Sequence, residues 1–250
     1  MTKKAIHKGL RFFFLTFWGV VLTWQFYNMQ AHGVPDALLE SDVNVAVTDS
    51  SGLLIFEPVV DTMTTALLFY PGALVDPEAY VPMAHAIAEA GHKTIIVKVP
   101  FRMAFLDRME QRVFERTQEI MQQEAGRRWI VGGHSRGGAM AARFAGSHAD
   151  QLAGLLLVGT SHPRRHDLSP LSIDVTKVYG SEDGLASEAE IEQFSPNLPD
   201  STHFVRIDGG NHAQFAWYGT QLGGGSATIS REAQQRQLLQ AALEQLGRVD

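Results

Sequence analysis

The sequence predicts an α/β domain with a mostly parallel central sheet and helices on both faces. Three observations predict it. Short apolar runs alternate with helical segments from residue 43 almost to the end of the chain, and that alternation buries a parallel sheet on both sides. Hydrophobic residues make up 45% of the 250 positions, enough to build one large core. A Gly-x-Ser-x-Gly run, Gly133-His134-Ser135-Arg136-Gly137, lies between a strand-like and a helix-like stretch, which marks a sharp strand-to-helix turn.

The first thirty residues differ from the rest. A basic stretch containing Lys3, Lys4, Lys8 and Arg11 precedes Phe12–Tyr27, which is apolar on every face. Such a segment belongs in a membrane or a translocon. It reaches spanning length only if Thr16, Thr23, Gln25 and Asn28 are counted. Residues 1–33 are therefore expected to be a membrane anchor or signal segment, with Trp24 and Tyr27 suiting an interfacial belt. Ala31-His32-Gly33 offers a small-x-small cleavage site as the alternative. In either case the basic flank keeps the N-terminus inside and directs the body to the extracytoplasmic side, membrane-anchored or released after cleavage. A third reading makes this segment a buried helix of a soluble domain.

Residues 34–250 read as one domain without internal repeats. Val43–Val47 and Leu53–Pro58 flank the turn signal Asp49-Ser50-Ser51-Gly52 and predict an opening hairpin. Ala66–Tyr70 is a buried strand, and a helix runs from Pro77 to Ala90, closed by Gly91. Thr94–Val97 is the next strand, and an amphipathic helix follows from Leu106 to about Gln123. Trp129–Val131 leads into the serine turn, and the helix beginning near Ala139 leaves it. Leu155–Val158, Val175–Tyr179 and Phe204–Ile207 complete the strands, and Arg231–Leu246 closes the chain as a helix.

Composition excludes several functions. There is no cysteine, hence no disulfide, no thiolate metal site and no cysteine nucleophile. Beyond the N-terminal basic cluster, 17 bases face 27 acids, a net charge of −10. A body that acidic is not a nucleic-acid binder.

The serine turn points to nucleophilic catalysis. A reversal that tight brings strand and helix backbones together, so the positions two before and two after the serine must lack bulk, and Gly133 and Gly137 do. The turn projects the hydroxyl away from the sheet, while the following helix N-terminus offers amides to developing negative charge. A serine hydroxyl needs an imidazole to take its proton, and the imidazole needs a carboxylate to orient it. In a parallel sheet those groups gather at the carboxyl ends of strands. Two loops lie there: Gly180-Ser181-Glu182-Asp183-Gly184 and Asp208-Gly209-Gly210-Asn211-His212. Asp183 is the favoured acid, with Glu182 and Asp208 as competitors; His212 is the favoured base over His134, His162 and His166.

Ser135, Asp183 and His212 follow the chain order of α/β-hydrolases. From about residue 43 to 247 the chain resembles a small α/β-hydrolase, most similar to the compact dienelactone-hydrolase-like group. A true dienelactone hydrolase uses a cysteine nucleophile, so the resemblance does not extend to that substrate. It implies an α/β-hydrolase fold and an oxyanion hole formed by the backbone N–H of Arg136 and one from Pro71-Gly72-Ala73-Leu74, where Ala73 is the donor by position and Leu74 the alternate. Only Thr160–Ile173 separates Val158-Gly159 from the next strand, which leaves no room for a large cap domain. Its basic part, Ser161–His166, is either a solvated loop or a contact for an anionic group.

The expected activity is a serine hydrolase cleaving a small ester or related acyl substrate through an acyl-enzyme, with no metal or organic cofactor. Acyl transfer to another acceptor and a non-catalytic binding protein are the alternatives. Dehalogenation is excluded because it needs an aspartate where Ser135 stands.

Overall fold

The computed structural model describes residues 3–50, 52–60 and 63–250. Met1 of the expected anchor and Ser51 of the expected hairpin turn fall outside them. The elements in chain order are α1 (Lys3–Asn28), β1 (Val45–Asp49), β2 (Leu53–Pro58), β3 (Thr65–Tyr70), α2 (Val81–Glu89), β4 (Lys93–Val97), α3 (Asp107–Gln123), β5 (Arg128–His134), α4 (Arg136–His148), β6 (Gly154–Val158), β7 (Asp174–Gly180), α5 (Glu188–Phe194), β8 (His203–Ile207) and α6 (Arg231–Val249). The strands form one sheet in the order β1-β2-β4-β3-β5-β6-β7-β8. β1, β2 and β4 pair antiparallel, and every other neighbour is parallel.

Strand alternation divides the core in two. Leu67 and Phe69 of β3 face the layer of α2 and α6 with Ala84, Ile87 and Leu238, while Ala66, Leu68 and Tyr70 face that of α3 and α4 with Phe114, Met140 and Phe144. This is the two-sided burial expected of near-continuous apolar strands.

Several boundaries differ from the sequence reading. Val43 is 87% exposed and β1 begins at Val45, because the Asp42 carboxylate accepts from the Asn44 and Val45 amides, both at 2.7 Å, and turns the chain there. The helix expected from Pro77 starts as a single 3₁₀ turn and becomes α-helical at Val81. Pro82 has no amide hydrogen and fits only the first turn of that helix. α5 is not legible in the sequence, since it buries only Ile191 and so carries no amphipathic period.

The N-terminal segment forms an exposed helix and not one buried in the body. His7–Asn28 is long and apolar enough to cross a membrane, and none of it is buried. Its C-terminal end is fastened to the body. The Asn28 carbonyl and side-chain oxygens accept from the Gly219 and Thr220 amides at 2.7 and 2.9 Å, and the Gln25 side chain accepts from the Leu222 amide at 3.2 Å. Met29 is then buried in the core, Ala31 bridges to Tyr218, and the His32 amide donates to the Trp217 carbonyl.

Candidate active site

Ser135 occupies the turn between β5 and α4 with φ 54° and ψ −117°. A non-glycine residue held in such a region costs about 1–3 kcal/mol and persists only when its surroundings fix it. They do so here: its amide donates to the Val158 carbonyl at 2.9 Å and its carbonyl accepts from the Ala139 amide at 3.1 Å. A Cβ at Gly133 would overlap the Gly137 backbone, and one at Gly137 would overlap the Tyr70 carbonyl. Both glycines are therefore demanded by close approach of strand and helix.

The two loops expected to supply acid and base are joined by their backbones. The Ser181 amide donates to the Ile207 carbonyl, and the Glu182 amide donates to the Gly210 carbonyl at 2.8 Å. This registration brings the Asp183 Oδ2 to 2.8 Å from His212 Nδ1, with both side chains buried. Asp183 Oδ1 accepts from the Leu185 and Ala186 amides at 2.8 and 2.9 Å, which aligns the carboxylate on the imidazole. The competing acids stand apart, since Glu182 is exposed and Asp208 pairs with Arg206. His212 Nε2 is buried and has no hydrogen-bond partner among the described residues. His212 and Ser135 line one open cleft, together with Arg136, Ala139, Gly159 and Leu185. Asp183 lies behind it.

His134 does not compete for the role of base. It is fully buried behind His212, with ring centroids 4.7 Å apart. Its Nδ1 shares a 2.8 Å hydrogen bond with the Tyr80 hydroxyl, and that hydroxyl accepts from the Gly72 amide at 2.9 Å. Burial, reinforced by His212, holds the His134 imidazole well below its ordinary pKa, and burial raises the Tyr80 phenol. Both stay neutral, as a fully desolvated pair must. On the other side, the Gln234 side chain of α6 accepts from the Asn211 amide and donates to the Asn211 carbonyl at 3.0 and 2.7 Å. The residue preceding His212 is thus clamped. The sequence reading missed Tyr80 and Gln234 because each acts on the site across more than twenty residues of chain, with no local pattern.

The loop after β3 distinguishes the amides considered for the oxyanion hole. Gly72 donates to Tyr80, and Leu74 donates to the Arg102 carbonyl at 2.7 Å. Among the described residues the Ala73 amide has no partner, nor has the Arg136 amide at the start of α4. Arg136 lines the cleft; Ala73 stands outside its lining.

Residues 66–236 match the family model described as the alpha/beta hydrolase family. No curated protein sequence matches significantly. Among solved structures, a predicted CIB-like hydrolase from Thermoplasma acidophilum is 14% identical, with a TM-score of 0.59 over 80% of this chain and 99% of its own. A putative dienelactone hydrolase from Klebsiella pneumoniae is also 14% identical, with a TM-score of 0.55 over 76% and 92%. A bacterial membrane phospholipase A, again 14% identical, covers 96% of each chain with a TM-score of 0.57. At these identities the likeness is one of fold.

Proposed function

Since the chain belongs to the alpha/beta hydrolase family, matched over residues 66–236, we propose that it is a membrane-anchored serine hydrolase that cleaves a small ester through Ser135, His212 and Asp183. One observation carries this reading: a carboxylate-bound histidine, its Nε2 without a partner among the described residues, lines the same cleft as the strained serine.

In the proposed reaction, Ser135 Oγ attacks the ester carbonyl and passes its proton to His212 Nε2, while Asp183 stabilises the imidazolium. The carbonyl electron pair moves to oxygen, where the Arg136 and Ala73 amides receive the negative charge. The tetrahedral intermediate collapses, the C–O bond to the alcohol breaks, and His212 returns its proton to the leaving oxygen. Water then attacks the acyl-serine, loses a proton to His212, and releases the acid with Ser135 restored.

Anchoring follows from the apolar part of α1, and the basic residues in its first turns direct the catalytic body to the extracytoplasmic side. The cleft is small and uncapped, which supports short acyl groups, each buried methylene contributing about 0.8 kcal/mol at most. A fluorophosphonate probe should label Ser135 and fail to label S135A. With p-nitrophenyl esters of increasing length, kcat/KM should peak at short chains. Labelling of a different serine overturns the proposal, and a steady rise through long acyl chains overturns the substrate size.

A further inference from the structure

Three residues of the cleft, Arg136, His162 and Arg164, also line a second, adjoining cavity with Arg143, Arg165 and His166. No acidic residue lines this cavity, although the body of the protein carries a net negative charge. The anions nearby do not neutralise it. Glu110 is taken up by Arg143, through Nε at 2.5 Å and through Nη2, and only grazes Arg136 at 3.5 Å; Glu190 pairs with Arg164 at 2.9 Å. Arg165 has no ion-pair partner among the described residues, and Arg136 Nε is buried without a hydrogen bond.

Arg164, Arg165 and His166 are exposed, but the loop that carries them is held in place. Arg164 is held by the Ser161 hydroxyl at 2.7 Å, by Glu190 and by the Phe194 ring at 5.7 Å. Below the loop, the fully buried Lys177 donates to the His162 carbonyl at 2.6 Å. Burial and the surrounding cations Arg164, Lys177, Arg143 and Arg136 push His162 down to about 4. A neutral imidazole therefore sits in a strongly positive field, and guanidinium groups match planar or tetrahedral oxyanions.

We propose that this cavity binds an anionic group, carboxylate or phosphate, carried by the ester substrate a few atoms from the carbonyl that Ser135 attacks. The inference rests on the esterase reading of Ser135 and names its substrate class.

The test uses the full chain in neutral detergent micelles and compares p-nitrophenyl glutarate monoester with p-nitrophenyl valerate, which share a chain length and differ in the terminal carboxylate. At low ionic strength the ratio of their kcat/KM values should favour the charged ester by about tenfold or more and decline with added salt. R165E and R164Q should lower that ratio by about tenfold, and R165K should preserve most of it. Equal turnover of the two esters, or an R165E ratio equal to wild type, overturns the subsite and leaves the esterase standing. If neither ester turns over, labelling decides: inorganic phosphate should slow fluorophosphonate labelling of Ser135 in the wild type and not in R165E. Absence of phosphate protection overturns the subsite, and absence of labelling overturns the esterase reading on which it depends. A last arm identifies the source of the anion by comparing dihexanoyl phosphatidylglycerol as monomers with phosphatidylglycerol in phosphatidylcholine vesicles. R165E-sensitive turnover of the vesicle lipid assigns the group to a headgroup, and R165E-sensitive turnover of monomers alone assigns it to a soluble ester.

Discussion

Tyr80 and His134, 54 residues apart, share a 2.8 Å hydrogen bond in the interior of the protein, directly behind the histidine of the cleft. The Tyr80 hydroxyl is engaged on both sides, by His134 and by the amide of Gly72, one residue before the Ala73 amide. A single phenol thereby connects the floor under His212 to the loop expected to receive the oxyanion.

Y80F should reveal that connection. It leaves the Gly72 amide and His134 Nδ1 without partners, a cost of about 1–3 kcal/mol in thermal stability. Turnover should fall roughly tenfold with KM little changed, because the loss affects positioning more than binding. Wild-type stability together with wild-type kcat would show that the hydrogen bond has no role.

The charge partners are separable by mutation. H212A should reduce kcat by about four orders of magnitude with the fold retained, and D183N by a similar or smaller factor. E182Q, on an exposed side chain, should remain close to wild type. Circular dichroism and ester turnover measured on the same preparations check all three, and E182Q proving more damaging than D183N would reassign the acid.

Lys177 predicts a pH dependence of stability. Burial and the neighbouring Arg164 push its ammonium down to about 7, below its unfolded value of about 10.4. Between those two values the unfolded chain binds about one more proton than the folded chain, so this residue makes stability rise with pH across the window, by about 1.4 kcal/mol per pH unit. Below the folded value the penalty for the buried charge is fully present. K177M should remove that part of the slope. Chemical denaturation of both proteins between pH 7 and 10 measures the difference, and parallel curves would contradict it.

The junction of α1 with the body predicts the fate of the N-terminus. Cleavage near Gly33 would remove Met29 from the core along with the Ala31 and His32 contacts to Tyr218 and Trp217. The purified protein should therefore retain α1 by intact mass, and protease added outside intact cells should digest the catalytic body while sparing a cytoplasmic control. A product beginning near Val34 would establish cleavage; complete protection would reverse the topology.

The sequence by itself determined the middle of the sheet, because β3 and β6 are short, nearly unbroken apolar runs and burial on both faces requires no partner information to read. It also determined the serine turn, whose glycines answer a local steric demand at fixed spacing, and it nominated Asp183 and His212 through their position after strands. It stopped where contacts are long in sequence. That Asp183 rather than Glu182 meets His212 depends on hydrogen bonds between two loops, Ser181 to Ile207 and Glu182 to Gly210. That Leu74 is spent on Arg102 while Ala73 is free depends on a loop nearly thirty residues away. The inward rotation of His134, the clamp from Gln234 and the continuity of the basic cavity with the cleft likewise arise only when separate elements pack. Local sterics and periodicity are properties of neighbours along the chain, whereas hydrogen-bond pairing and field are properties of neighbours in space, and only the tertiary structure decides those.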